Sequence, residues 1–477
     1  MGRQVADLTD ELALANPTSG LYSHDQEAPP LDSSRAPQRT TQIPTARYTL
    51  PAWKALEDEK LWPRVWQIAC TLDCVPAPGD YWEYQIADLS ILVVRGDDGK
   101  LRAFQNACPH RGNTLLSGHG SGLEAIRCTY HHWCFDLRGQ LASISPEGER
   151  ETTTSAQNAR GSVGGSRLGL IPVRVDTWAG FVFVNPDPKA EPLSAFLEEL
   201  PEELAWVGMD RFSCDAFMTV PLACNWKVVV DAFVETYHLH AVHPQMLAIA
   251  DDVHTPITLY DKHTKFVQPY GVSSPRRRGG VSSQELWESF ALNLGHRMGI
   301  PFADAREPGP HPAIPDGGSM RDVLVGKIRE HLAGMGGIYA DLDDHHVIDD
   351  FHYHLFPNAV LNVFAGWFGL IRARPGATPD ECLLDMWNFD LRPEGGTAAH
   401  PRPIARDLSP EEIRALGPVL LQDLDLMPRV QRGLRQPGLE YFQLTRSEAR
   451  IGRMHEILDR YLDPPDALRL ASARLER

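Results

Sequence analysis

The sequence predicts a mixed α+β protein, in which a smaller antiparallel β domain precedes a larger domain of antiparallel strands flanked by helices. Short alternating apolar runs separated by turn residues dominate from Tyr48 to about Val184. Beyond the proline-rich connector Asn185–Leu193, longer periodic segments predict helices around a second set of strands. We therefore predict an N-terminal arm at residues 1–46, a first domain at 47–190 and a second at 191–477.

The bulk composition is that of a soluble globular protein, with 43% apolar and 23% charged residues. A net charge of −17 argues against nucleic-acid and anionic membrane partners. No apolar run reaches the length of a membrane span, and the first residues lack the basic and apolar regions of a signal peptide. The eight cysteines therefore predict reduced thiols and metal ligands in a cytoplasmic protein.

Residues 1–46 are rich in Pro, Ser, Thr and acidic side chains, which predicts an extended arm with one short helix at Asp7–Ala15. The sequence leaves open whether this arm is disordered or wraps a neighbouring subunit. Pro51–Leu61 predicts a helix that Pro63 ends. Strands of the first domain are predicted at Tyr81–Gln85, Ser90–Arg95, Leu101–Gln105, Ile126–Tyr130 and Gly180–Val184, with a surface loop at Ser145–Gly165.

In the second domain, four consecutive strands are predicted at Phe351–Phe356, Ala359–Phe364, Phe368–Arg374 and Leu383–Arg392. Helices are predicted at Ser194–Leu200, Asn225–His243, Ser409–Leu416, Val419–Arg432 and Ser447–Leu462. The insertion Gly271–Asp344, with helices at Ser283–Leu294 and Met320–Ala333, is expected to form a lid, a pocket wall or an interface. Its basic run Arg276–Arg278 is either solvated or orients an acidic substrate.

Polar side chains interrupt the apolar stretch Asn225–Pro244. Asp231, Glu235 and His238 follow one another at helical spacing, so they share one face, where burial is costly without a partner or a metal. A regular helix would hold His238 and His243 about 140° apart. To bind one metal ion together, they need the helix to bulge or unwind between them. The alternative is a core helix whose few polar groups are satisfied.

A second group of candidate ligands lies upstream, where Cys108-Pro-His110 and Cys128-Thr-Tyr-His131 are separated by 17 residues. Two short Cys/His pairs on hairpin loops can converge on one site. Thiolates and imidazoles suit zinc or an iron–sulfur cluster. A structural zinc site or unrelated cysteines are the alternatives.

CPHRG at 108–112 with CTYH at 128–131 resembles a Rieske [2Fe–2S] motif. NWK at 225–227, followed by ETYH at 235–238 and HP at 243–244, resembles the mononuclear-iron motif of Rieske non-haem iron oxygenase large subunits. The resemblance to this ring-hydroxylating family covers roughly residues 47–460. It implies an antiparallel β Rieske domain and a catalytic domain with a helix-grip, START-like sheet.

Two positions depart from the family pattern. His132 stands where the family usually has Gly after the second Rieske histidine, which makes a different local turn conceivable. Asp231-Ala232 stands where Glu-Asn is common. Neither change removes a ligand.

The resemblance also implies a role for each motif residue. Cys108 and Cys128 would bind one iron of the cluster, and His110 and His131 the other. His238 and His243 would supply two ligands of a 2-His-1-carboxylate site for mononuclear Fe(II). Glu235 would accept hydrogen bonds from His238 and from His131 of an adjacent subunit, and so connect cluster and iron.

Candidates for the third iron ligand are Asp349, Asp350, Asp423 and Asp425. The resemblance places this ligand in the C-terminal helical region, shortly before a Val-Gln-Arg-Gly stretch, which here is residues 430–433. Asp423 is the preferred candidate and Asp425 the alternative. For either residue, a solvated helix carboxylate is the competing interpretation.

The resemblance implies a terminal oxygenase that takes electrons from an NAD(P)H-dependent flavin reductase, directly or through a ferredoxin. With O2 it would mono- or cis-dihydroxylate an aromatic or related cyclic substrate. The long insertion suggests a substrate larger than benzene. O- or N-demethylation is the alternative reaction. A homotrimer is expected, with or without a small β subunit. Two other classes remain open: a Rieske electron carrier without catalytic iron, and a zinc-stabilised binding protein.

Overall fold

The computed structural model describes residues 30–34, 40–144, 162–163, 166–167, 169–300, 307–335, 339–392, 406–407, 417–466 and 468. The chain divides into two compact units. Unit 1 comprises Met1–Leu56, Leu197–Ala399 and Ala405–Arg477, and unit 2 comprises Glu57–Phe196 and His400–Ile404. The predicted helices at Asp7–Ala15 and Ser409–Leu416, and most of the predicted loop at Ser145–Gly165, lie outside the described residues.

The described strands, in chain order, are β1 (Leu31–Asp32), β2 (Gln42–Pro44), β3 (Gln67–Thr71), β4 (Tyr81–Ile86), β5 (Leu89–Arg95), β6 (Leu101–Gln105), β7 (His119–Gly120), β8 (Ile126–Arg127), β9 (Cys134–Phe135), β10 (Leu141–Ser143), β11 (Ser162–Val163), β12 (Ser166–Arg167), β13 (Pro172–Trp178), β14 (Phe181–Asn185), β15 (Phe212–Leu222), β16 (Ile257–Leu259), β17 (Thr264–Gln268), β18 (Asp350–Leu355), β19 (Ala359–Phe364), β20 (Trp367–Pro375), β21 (Cys382–Leu391), β22 (Arg406–Asp407) and β23 (Tyr441–Gln443). The described α-helices are α1 (Ala46–Thr49), α2 (Pro51–Lys60), α3 (Leu193–Leu197), α4 (Leu200–Glu203), α5 (Trp226–Phe233), α6 (Leu239–Val242), α7 (Ser283–Phe290), α8 (Met320–Ala333), α9 (Asp344–Ile348), α10 (Pro418–Leu434) and α11 (Ala449–Leu462). None of the described helices is both long and apolar enough to span a bilayer.

Unit 2 is built on a seven-stranded sheet in the order β3-β14-β13-β6-β5-β4-β7, together with the three-stranded sheet β10-β9-β8. Neighbouring strands in both sheets are antiparallel. A buried core that includes Leu92, Phe104, Ile126 and Phe135 lies beside the cysteine loops. The predicted strands at β4, β5, β6 and β14 are confirmed to within one residue at either end. The predicted strand Ile126–Tyr130 is confirmed only at Ile126–Arg127, because the chain turns at Cys128.

Unit 1 is built on a nine-stranded sheet in the order β1-β16-β17-β18-β19-β20-β21-β15-β22. Its central pairs are antiparallel, whereas the terminal strands β1 and β22 pair in parallel. The four predicted consecutive strands are confirmed as β18 to β21, again to within a residue at either end. Helix α5 packs on β19, β20 and β21, and α10 packs on α5. The predicted α+β class and its helix-flanked antiparallel sheet are therefore confirmed.

The chain near Pro51 is divided differently from the prediction. Residues 47–56 were predicted in the first domain, but they group with unit 1. Arg47 forms an ion pair with Asp459 at 2.6 Å, and the Tyr48 hydroxyl donates to Asp231 at 2.5 Å. The second boundary lies between Phe196 and Leu197 rather than at residue 190. The described parts of the predicted arm are not free, because β1 pairs with β16 and β2 pairs with β23.

Candidate metal centres

The predicted helix Asn225–His243 is interrupted between its two histidines. Asn225 caps α5 by accepting a hydrogen bond from the Lys227 backbone N–H at 3.1 Å, and α5 ends at Phe233. Helical structure resumes only at α6, Leu239–Val242. His243 follows α6 in a non-helical conformation, just before Pro244. This interruption brings the His238 and His243 rings to a centroid separation of 5.1 Å and an interplanar angle of 77°. The predicted unwinding is confirmed.

A carboxylate from α10 joins the two histidines. Asp423 is 3% exposed, and its Oδ1 lies 2.9 Å from His243 Nε2 and 3.8 Å from His238 Nε2. Each of the three residues offers one ligand atom, and these atoms all lie within 4.8 Å of one another. A metal ion about 2.1 Å from each ligand would place adjacent ligands about 3 Å apart. The spacing therefore fits one small metal ion with open positions.

The other three candidate carboxylates are occupied elsewhere or lie apart. Asp425 forms an ion pair with Arg429 one turn away on α10. Asp349 accepts hydrogen bonds from Arg321 and His345. Asp350 belongs to β18 and forms no part of the cluster of ligand atoms. Of the four candidates, the structure brings Asp423 alone to the histidines, and its role as a ligand stays a prediction.

Gln431 explains how α10 is placed. Its Oε1 accepts a hydrogen bond from the Asn225 backbone N–H at 3.1 Å, and its Nε2 donates to the Tyr48 carbonyl at 3.1 Å. The two stretches that carry the family resemblance, at 225–227 and 430–433, therefore meet at the start of α5. Because α10 is continuous from Pro418 to Leu434, this contact fixes where Asp423 lies relative to the histidines.

Each histidine is oriented by an acceptor at its Nδ1. Glu235 Oε1 lies 2.5 Å from His238 Nδ1, and its Oε2 accepts from the His238 backbone N–H at 3.0 Å. Gln422 Oε1 lies 2.8 Å from His243 Nδ1 and also accepts from Gln245 Nε2 at 2.8 Å. With Nδ1 protonated on both rings, each Nε2 lone pair is free for a metal ion. Gln422 and Gln245 could not be predicted from the sequence, because no spacing rule distinguishes them.

The electrostatics of this site favour positive charge. Burial alone would lower the pKa of His238, but the Glu235 and Asp423 carboxylates raise this pKa to about 9. Two carboxylates thus act on one ring. A divalent metal ion supplies the positive charge that this arrangement favours, provided that Nε2 is deprotonated.

In unit 2, the Cys/His motifs form two matched loops. The Cys108 N–H donates to the Asn113 carbonyl at 2.8 Å, and the Cys128 N–H donates to the Trp133 carbonyl at 2.8 Å. Four residues after each cysteine, a backbone N–H donates back to the carbonyl of that cysteine. Gly112 donates to Cys108 at 2.8 Å, and His132 donates to Cys128 at 3.0 Å. Gly112 and His132 are both left-handed, with φ of 76° and 57°.

His132 therefore adopts the backbone conformation that glycine has in the first loop. The turn at His132 thus has the same form as the turn at Gly112, and it costs about 1–2 kcal/mol of backbone strain. The exposed position of the His132 side chain gives it the room that it needs.

The two loops bring their two cysteine side chains together and their two histidine rings together. The Cys108 and Cys128 side chains are both buried, and each acts on the pKa of the other. Burial raises the pKa of Cys108; burial would also raise that of Cys128, but the Tyr130 and His131 backbone N–H groups lower it overall. The His110 and His131 ring centroids lie 4.6 Å apart. This donor set fits a cluster with one iron held by the cysteines and the other by the histidines.

A cavity of about 820 Å³ in unit 1 opens beside His238, His243 and Asp423. Strands β15 and β17 to β21 contribute to its lining, and so does the insertion, through Ala291–Leu294, His296 and Arg297. The insertion is therefore a pocket wall, one of its three predicted roles. The basic run does not orient a substrate through Arg276 or Arg277, because Arg276 pairs with Asp252 and Arg277 with Glu285.

Comparison with known proteins gives two family matches and a set of relatives. Residues 65–156 match the Rieske [2Fe-2S] domain, and residues 204–464 match the ring hydroxylating alpha subunit (catalytic domain). The carnitine monooxygenase oxygenase subunit of Escherichia coli (strain K12) is 32% identical over 241 residues, which are 50% of this chain and 61% of that protein. The glycine betaine monooxygenase oxygenase subunit of Chromohalobacter salexigens is 31% identical over 216 residues, 45% of this chain and 46% of that protein. The chain thus spans less than two thirds of either relative's length.

Solved structures share the fold at low identity. A quaternary ammonium Rieske monooxygenase in complex with L-carnitine matches with a TM-score of 0.60 and 19% identity, over 91% of this chain and 99% of that one. Naphthalene 1,2-dioxygenase with indole bound matches with a TM-score of 0.60 and 18% identity, over 91% and 95%. The two matched domains imply a Rieske cluster, a mononuclear iron and electrons from a separate reductase. Since the catalytic-domain match alone covers more than half of the chain, the chain belongs to the ring hydroxylating alpha subunit family.

Proposed function

We propose that this protein is the terminal oxygenase component of a Rieske non-haem iron system. It would use O2 and electrons from an NAD(P)H-dependent reductase, directly or through a ferredoxin, to oxidise a small organic molecule. The observation that carries the proposal is the convergence of His238, His243 and Asp423 at the wall of an 820 Å³ cavity. Iron held by two histidines and one carboxylate supplies O2 activation, with positions left open for substrate.

The chain's own residues orient and isolate this centre. Glu235 and Gln422 hold the two imidazoles by their Nδ1 atoms, so that both Nε2 atoms point to one place. Phe233, Leu239 and Met246 line the cavity next to the histidines. An apolar lining of this kind limits the water around the reacting groups and strengthens electrostatic interactions within the site.

In unit 2, Cys108, His110, Cys128 and His131 would hold the [2Fe–2S] cluster. Glu235 is the proposed connection between the two centres, because one of its oxygens contacts the His238 ring while the carboxylate remains partly exposed. Its second partner would be His131 of a neighbouring subunit in a homotrimer. Light scattering on the purified protein tests the trimer, and co-purification tests for a small β subunit.

Two substrate classes remain candidates. Aromatic and related cyclic compounds follow from the family resemblance, and the cavity offers flat aromatic walls such as Phe364 and Trp367. The relatives that are 31–32% identical are carnitine and glycine betaine monooxygenase subunits, which favours quaternary ammonium compounds as the second class. Aromatic faces bind a quaternary ammonium group as readily as they stack on a ring. Hydroxylation and oxidative demethylation would use the same centre.

The experiment is O2 consumption by the iron-loaded protein with a surrogate ferredoxin and reductase. The substrate panel contains naphthalene, indole, L-carnitine and glycine betaine, and 18O2 labelling identifies the products. We expect uptake that depends on one substrate class and a product that carries 18O, with Asp423→Ala as the inactive control. Protein that carries the cluster but binds no third iron would contradict the proposal.

A further inference from the structure

One end of the cavity contains hydrogen-bond donors without matching acceptors. On the sheet, Gln268 of β17 pairs with Asp350 of β18, and Phe364 of β19 pairs with Trp367 of β20. All four residues line the cavity. The insertion lies opposite, where the π-helical turn Ala291–Gly295 is followed directly by the cavity-lining residues His296 and Arg297.

Arg297 is a cation that forms no ion pair with any described residue. Its guanidinium carbon lies 5.1 Å from the centre of the Trp367 ring, and no described carboxylate lies within ion-pair distance of it. Arg297 is an exposed residue that also lines the cavity, so a ligand in the cavity can reach its guanidinium group. Arginine keeps its charge in proteins.

Two buried residues on the paired strands β17 and β18 line the same cavity. Gln268 is only 4% exposed, and its Nε2 has no hydrogen-bond partner in the part of the chain that the structure describes. Asp350 acts electrostatically on Arg297, but burial raises the pKa of Asp350 to about 8, which weakens it as a counter-ion near neutral pH. A buried donor without an acceptor is costly. The missing partner is therefore an acceptor with negative charge.

We propose that the substrate carries a carboxylate, which Arg297 binds with Gln268 as a second donor. This rests on the proposed oxygenase function and narrows its substrate class. The carboxylate end would lie against Trp367 and β17, so the reacting carbon points away from Arg297 towards His238 and Asp423. In this role Arg297 is a determinant of specificity, and it takes no part in the chemistry.

The test measures binding without turnover, in the iron-loaded holoenzyme without reductant. Ligand-observed NMR gives dissociation constants for two matched pairs, benzoate with benzyl alcohol and glycine betaine with choline. In each pair the second probe has a hydroxymethyl group in place of the carboxylate. The variant Arg297→Met keeps an unbranched side chain beside Trp367, and Arg297→Lys keeps the charge. Arg278→Met is the matched control, because Arg278 is an exposed arginine of the same insertion that does not line the cavity.

We expect the wild type to prefer the carboxylate in at least one pair by tenfold or more. Arg297→Met should weaken carboxylate binding by about ten- to hundredfold, as for the loss of a charge-assisted hydrogen bond. The alcohol should change by no more than about twofold. Arg297→Lys should recover part of the preference, Gln268→Leu should lose a smaller part, and Arg278→Met should lose none.

No preference for either carboxylate in the wild type would overturn the inference, as would an unchanged preference in Arg297→Met. The outcomes separate this inference from the proposed function. Oxidation of neutral substrates, without any effect of Arg297→Met, removes the carboxylate site and leaves the oxygenase. A carboxylate preference that depends on Arg297, in protein that binds no third iron, leaves the anion site and removes the oxygenase.

Discussion

Replacing Asp423 by alanine should remove the mononuclear iron and leave the rest of the protein in place. Asp423 Oδ1 lies 2.9 Å and 3.8 Å from the Nε2 atoms of His243 and His238. Without it, two neutral imidazoles remain, and neither carries the negative charge that a divalent ion favours. A water molecule can take the place of the lost carboxylate oxygen, but water is a neutral ligand.

The shifted pKa of His238 gives the size of the effect. A shift from 6.5 to about 9 corresponds to about 3 kcal/mol of preference for positive charge at this ring. Glu235 contributes more of this than Asp423. If Asp423 stabilises each unit of positive charge by about 1 kcal/mol, the binding free energy of a divalent ion weakens by about 2 kcal/mol in its absence. The lost charge alone should therefore lower iron affinity by about thirtyfold. The loss of the coordinate bond should lower it further.

The assay is iron content per chain together with the visible spectrum of the cluster. Wild-type protein should hold two irons in the cluster and one in the triad. Asp423→Ala should lose one iron and all turnover while its cluster absorbance is unchanged. Asp425→Ala should keep all three irons, because Asp425 pairs with Arg429. Full iron content with normal turnover in Asp423→Ala would refute the assignment, and loss of iron in Asp425→Ala would transfer it.

The remaining predictions concern Glu235, Gln422 and the buried ion pairs of Asp385. Glu235→Ala should weaken iron binding, because His238 Nδ1 loses its acceptor. With the iron site saturated, the variant should still slow oxidation of the reduced cluster by O2 and substrate, measured by rapid mixing; a wild-type rate would leave Glu235 a purely structural role. Mixed trimers of Glu235→Ala and Cys128→Ser subunits should regain some activity, because an intact cluster can then face an intact carboxylate. Gln422→Leu should weaken iron binding by about 10–100-fold in a metal titration, since His243 Nδ1 loses its acceptor, whereas Gln422→Glu should not. Asp385→Asn should cost about 3–5 kcal/mol in urea unfolding, because Asp385 is 0% exposed and pairs with two arginines. Although burial would raise the pKa of Asp385, these arginines lower it to about 2. The free energy of unfolding of the wild type should therefore fall by about 2 kcal/mol as the pH falls from about 4 through 2. This loss should be absent in the variant.

The spacing of the motifs was enough to predict much of the site. The interval between His238 and His243 required a break in the helix, and α5 and α6 are separated at that point. The strands β18 to β21 could be predicted because each is a short segment rich in aromatic and aliphatic residues between turn signals. The choice of Asp423 over Asp425 depended on the family resemblance. Spacing alone could not decide it, because both lie on one helix and burial separates them only in the folded chain.

Other parts of the site could not be predicted from local patterns. Gln422 is identified only by its contact with His243 across 179 residues of chain. Arg297 follows the π-helical turn Ala291–Gly295, which shifts the helical phase of everything after it. A helix of period 3.6 drawn through residues 283–294 therefore gives the wrong face for Arg297. For the run Arg276–Arg278 the sequence left open solvation or the orientation of an acidic substrate, and internal ion pairs occupy its first two residues.

Glu235 connects the break in the helix with the chemistry of the site. One of its oxygens accepts from the His238 backbone N–H, a group left unpaired where the helix is interrupted, and the other contacts the ring of the same residue. The carboxylate thus stabilises the unwound segment and sets the ring orientation at once. A side chain held at two points cannot swing to follow a partner. A donor on a neighbouring subunit would therefore have to be placed against Glu235 by the assembly itself. Electron transfer through Glu235 would then depend on the packing of the subunits and not on motion of the carboxylate.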